Sequence, residues 1–85
     1  MLSLNLRVTT SEGTRDYGVR PKTVVEFERQ FGMGVGKAFS NEQRAEYVYW
    51  LAWRAIKDSG ETVKPFDGWL ETVEDVEMLE GDDRP

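Results

Sequence analysis

Seven consecutive residues without a charge, Tyr47 to Trp53, constrain this chain more than any other stretch. They lie inside Ser40–Gly60, which has the punctuation of a helix. Ser40 and Gln43 form a capping-box pair at the start, and Gly60 is suited to a left-handed position after the end. At about 100° per residue, Ala45, Val48, Tyr49, Leu51, Ala52, Trp53, Ala55 and Ile56 fill one broad apolar face. Glu46, Arg54, Lys57 and Asp58 mark the other, with Tyr47 and Trp50 among them. A helix this apolar must be covered on nearly every side, by its own chain or by a partner.

The 85 residues bound what can do the covering. A domain of this size buries only roughly 60–65% of its unfolded surface. Cysteine and histidine are both absent, which removes disulfides, thiolate chemistry, and the commonest general base and zinc ligand. No segment reads as a signal peptide or approaches the roughly 18 apolar residues of a membrane span, so a soluble, cytoplasmic protein is expected.

Charge is unevenly divided. The net charge is −5, yet residues 1–65 carry +2 and residues 66–85 carry −7. No concentrated basic face exists to bind a phosphate backbone, so nucleic acid is not an expected partner.

In chain order, Leu2, Leu4, Leu6 and Val8 alternate with polar residues, then Thr10–Gly13 supplies a turn, and Tyr17 and Val19 alternate again. This predicts a β-hairpin with one apolar face. The open edge of residues 2–9 offers a route to self-association. Pro21 ends the hairpin, and a capping-box pattern at Thr23 and Glu26 predicts a short helix through Phe27 and Phe31, stopped by Gly32. The glycine-rich run 32–37 lacks P-loop and dinucleotide spacing, so it reads as a connector from which Val35 and Phe39 reach the core. Phe66, Trp69, Leu70, Val73, Val76 and Leu79 recur at helical spacing, predicting an acidic amphipathic helix after Pro65. Residues 81–85 read as a disordered tail.

The expectation is one α+β domain over 1–80: a hairpin followed by short, long central and C-terminal helices. Glu74, Asp75 and Glu77 on an exposed helix face lack the desolvated cleft that paired catalytic carboxylates need, so no enzyme, cofactor or metal is expected. Trp53 and Trp69 are expected in the core. Tyr47 and Trp50, on the charged side, are candidate partner anchors, with Arg54, Glu74 and Glu77 as charged neighbours.

Three segments taken in order, Phe27–Gly32 (Phe-Glu-Arg-Gln-Phe-Gly), Tyr49–Gly60 (Tyr-Trp-Leu-Ala-Trp-Arg-Ala-Ile-Lys-Asp-Ser-Gly) and Pro65–Glu77 (Pro-Phe-Asp-Gly-Trp-Leu-Glu-Thr-Val-Glu-Asp-Val-Glu), resemble the tail assembly chaperones of long-tailed bacteriophages, particularly of actinobacterial phages. The resemblance covers residues 17–80. The loop at 32–36 has no place in that pattern. What the resemblance implies is a non-catalytic factor that binds the tape measure protein in the host cytoplasm and is displaced as tail tube subunits polymerise. Such a factor is absent from the mature virion and is often made in a second, frameshifted form. The alternatives are a small connector protein of the virion, or an acidic regulatory module that binds a host protein.

Overall fold

A computed structural model describes residues 4–34, 37–38 and 45–80. Its elements are strands β1 (Leu4–Thr10) and β2 (Gly13–Gly18), helices α1 (Pro21–Phe31), α2 (Ala45–Asp58) and α3 (Phe66–Leu70), and strand β3 (Val73–Glu80). The strands form one antiparallel sheet in the order β2-β1-β3. The fold is α+β, as expected, but it ends on a strand rather than a long helix.

The hairpin follows from the alternation. Two residues, Ser11 and Glu12, link Thr10 to Gly13, and Gly13 takes φ 132°, a region side chains rarely enter. Leu6 lies opposite Tyr17 on β2 and opposite Met78 on β3, while Val8 lies opposite Val76. These residues share the face turned to the helices, where Leu6 is fully buried. Arg7, Thr9, Asp16, Asp75 and Glu77 occupy the other face.

β3 corrects two expectations. The helix predicted through Glu80 stops at Leu70, where the Thr72 hydroxyl and N–H both donate to the Trp69 carbonyl at 2.8 Å. Gly68 weakens that helix, β-branched Thr72, Val73 and Val76 favour a strand, and Glu77 and Glu80 would oppose a helix dipole. The apparent i, i+3 spacing of Val73 and Val76 has another origin. A register shift pairs Thr9 with Asp75 but Thr10 with Val73, leaving Glu74 as an extra residue. This bulge turns both valines toward the core, imitating helical periodicity within a strand. The second correction concerns β1. With β2 on one side and β3 on the other, β1 is the central strand, so its edge is not open for self-association.

α1 starts one turn earlier than the Thr23 capping pattern suggested. Pro21 occupies the first turn, where a missing N–H costs nothing, and Arg20 stands at the N-cap without a side-chain cap. Gly32 ends it at φ 70°, its N–H donating to the Glu28 carbonyl at 2.8 Å. The Ser40–Gln43 capping box, Val35, Phe39 and the 81–85 tail lie outside the described residues. At the far end of α2, Gly60 has the positive φ expected of it, 99°.

α2 lies between the sheet and α1. Leu51, Ala52, Ala55 and Ile56 are buried in the core with Leu6, Val8 and Trp69. Its other flank is covered by α1, and this overturns the anchor expectation. Tyr47 is 6% exposed and Trp50 8%. Phe27 meets them edge-on at ring separations of 5.8 and 6.0 Å, and Phe31 at 4.9 and 5.6 Å. The two rings are therefore core residues of an aromatic cluster between α1 and α2. Trp69 is buried as expected, while Trp53 is half-buried, its ring 5.6 Å from Phe66.

Candidate functional site

The five residues expected to form a partner site fall in two separate places. Tyr47, Trp50 and Arg54 face α1, whereas Glu74 and Glu77 are exposed on β3. They do not compose one surface.

Arg54 belongs to a polar cluster that fastens α1 to α2. Its guanidinium Nη2 lies 3.5 Å from Glu26 Oε2, and Nε lies 3.3 Å from Asp58 Oδ1. The Nε contact is electrostatic, because its N–H is not aligned for a hydrogen bond. The Asp58 side chain is 3% exposed, and its Oδ2 accepts a 2.8 Å bond from the Thr23 hydroxyl. Lys22 Nζ stands 4.0 Å from Oδ1 at the solvent side. Thr23 has therefore exchanged a capping role for a tertiary one, and its burial is complete. A buried carboxylate needs polar partners to offset its desolvation, and Arg54, Thr23 and Lys22 surround this one.

A second cluster ties the hairpin to the segment after α2. The Glu61 carboxylate accepts from Arg15 Nη1 at 3.0 Å and from the Tyr17 hydroxyl at 3.1 Å. Three residues on, the Lys64 carbonyl accepts from Trp53 Nε1 at 2.8 Å. Segment 61–64 is thus held at both ends, and a cleft of about 660 Å³ opens between it and the hairpin turn. Val8, Ile56 and Trp69 line it together with Thr10, Thr62 and Thr72. Nothing local in the sequence signals this contact, since Tyr17 and Glu61 are 44 residues apart.

The cleft contains an ionisation with a definite sign. Burial pushes the Tyr17 phenol above its ordinary value near 10; Arg15 beside it works against the rise, and the Glu61 carboxylate adds to it. A raised folded pKa means that this tie is fully present below about pH 10 and is lost as pH rises through the folded value. In a phenolate absorbance titration, Tyr17→Phe is expected to remove a component that ionises above the ordinary tyrosine range. Removal of an early component instead would show that Tyr17 is not desolvated.

On the outer sheet face, Arg7 donates to Asp16 at 2.9 and 3.2 Å, and this contact holds the Asp16 carboxyl below the usual range. Both side chains are about half exposed, so the pair contributes little to stability. Among the described residues, no group of three or more acidic side chains is placed to hold a metal ion. None of the described helices is long and apolar enough to cross a membrane. Compared with protein-family models, curated proteins and solved structures, the chain finds no match.

Proposed function

We propose that this chain is a non-catalytic assembly factor, a phage tail assembly chaperone that binds the tape measure protein during tail morphogenesis. The observation that carries the reading is how the three segments of the resemblance meet in space. Phe27 and Phe31 from the first pack on Trp50 from the second. Trp50 stands 5.9 Å from Trp53, which stands 5.6 Å from Phe66 of the third, and Phe66 stacks near Trp69 at 6.3 Å. The ordered trio therefore behaves as one packing signature rather than three independent aromatic clusters.

With Tyr47 and Trp50 buried, they are withdrawn as partner anchors, and Arg54 is engaged within the chain. Glu74 and Glu77 remain exposed on β3. Exposed carboxylates of this kind suit the recognition of a partner segment that carries basic side chains.

Co-expression with a tape measure protein encoded beside this chain is the test. The expected result is a larger soluble fraction of the long protein and its co-purification with this chain. Recovery of this chain in purified virions, with no effect on tape measure solubility, would replace the reading with that of a structural connector.

A further inference from the structure

We propose that the outer edge of β3 is a docking site for an extended segment of another protein in which basic and apolar residues alternate. The inference goes beyond the assembly-factor reading and does not rest on it. β3 is eight residues long, and among the described residues no strand pairs with its outer edge. An antiparallel strand directs the main-chain groups of alternate residues to each side, so about four residues of β3 aim N–H and C=O groups outward. Such an edge is a template for one more strand.

The side chains specify which strand. On the helix-side face β3 offers Val76 and Met78, the latter 37% exposed although it lies opposite fully buried Leu6. On the other face it offers Asp75 and Glu77, both exposed. Among the described residues neither lies within ion-pair distance of a cation; Arg7, opposite Glu77, feels its charge but is hydrogen-bonded to Asp16. A strand added here places its alternate side chains beside those two rows in turn. Apolar residues would extend the cover over Val76 and Met78, and basic residues would meet Asp75 and Glu77. A second copy of β3 would set acid against acid, so the same charges that attract a basic strand oppose self-pairing. β2 is a weaker template: its Arg15 and Tyr17 are committed to Glu61, and glycine stands at both of its ends.

The test uses the whole chain and three synthetic eight-residue peptides: alternating lysine and valine, the same composition with the alternation broken into blocks, and alternating glutamate and valine. Binding is followed by amide chemical shifts and by amide hydrogen exchange. The expected result is saturable binding of the alternating basic peptide, weakened by salt, with new exchange protection along residues 73–80. The block peptide is expected to bind at least about tenfold more weakly. The Asp75→Lys, Glu77→Lys double variant is expected to prefer the glutamate peptide; should it fold poorly, Asp75→Asn with Glu77→Gln is expected to weaken basic-peptide binding. Equal affinity for the alternating and block peptides would reduce the effect to undirected charge attraction and overturn the proposal. No binding, or protection confined to β2, would overturn it as well.

Discussion

Replacing Trp50 by alanine is expected to lower the melting temperature by roughly 15–30 °C, the consequence of removing about 3–5 kcal/mol from a domain of this size. Trp50 is 8% exposed and touches Phe27, Phe31 and Trp53, so its truncation opens a cavity shared by both helices. A domain of 85 residues has in total roughly 4–13 kcal/mol to lose, at about 0.05–0.15 kcal/mol per residue. The variant should therefore be partly unfolded at ordinary temperatures. Val25→Ala is the internal comparison. Val25 sits on α1 at 43% exposure, and its truncation should change stability by about 0.5 kcal/mol or less. Thermal melts followed by circular dichroism distinguish the two. A Trp50 variant that melts with the Val25 variant would put Trp50 back on the surface and reopen its role as an anchor.

The second large effect is expected at Asp58. Alanine there removes the acceptor of the Thr23 hydroxyl and the nearest carboxylate of Arg54, leaving a fully buried hydroxyl and a largely buried guanidinium underpaired. Breaking buried charge partnerships costs about 3–5 kcal/mol. Here the loss should be nearer 2–3 kcal/mol, because Arg54 keeps Glu26 and Lys22 is mostly in water. Asp58→Asn should lose less, since an amide oxygen can still accept from Thr23. A urea-denaturation cycle with Thr23→Val isolates the contact: the pair should couple by about 1 kcal/mol or more. Strictly additive losses would mean that the hydroxyl and the carboxylate are not joined.

These two effects arise where the sequence was hardest to read. On the helical wheel Arg54 and Asp58 mark a polar flank, and Tyr47 and Trp50 look stranded on it. In the fold, that flank is an interface. Phe27 and Phe31 cover the rings, and Thr23 and Glu26 meet the charges, so one stripe of α2 carries aromatic and ionic contacts to the same neighbouring helix. A polar residue marks a solvent-facing side only when no other polar group is available inside to satisfy it.

Local chemistry determined much of this protein. The hairpin follows from the alternation of Leu4, Leu6 and Val8, α1 ends because Gly32 permits a positive φ, and the apolar run from Tyr47 demands a central helix. Each depends on neighbours within a few residues, which the order of residues records directly. Tertiary structure decided three things that no local pattern holds: the conversion of residues 73–80 from helix to strand, the burial of Tyr47 and Trp50 under α1, and the tie from Tyr17 to Glu61. The first was settled by the open edge of β1, which had main-chain groups to pair and an apolar face to extend. Hydrogen bonds to a strand more than 60 positions away, with a bulge at Glu74 to align the valines, outweighed a helical spacing that five residues alone could sustain. Tyr47 to Trp53 demands cover on most sides, and the fold supplies it from the chain itself: the sheet below, α1 across Tyr47 and Trp50, and Phe66 against a half-buried Trp53.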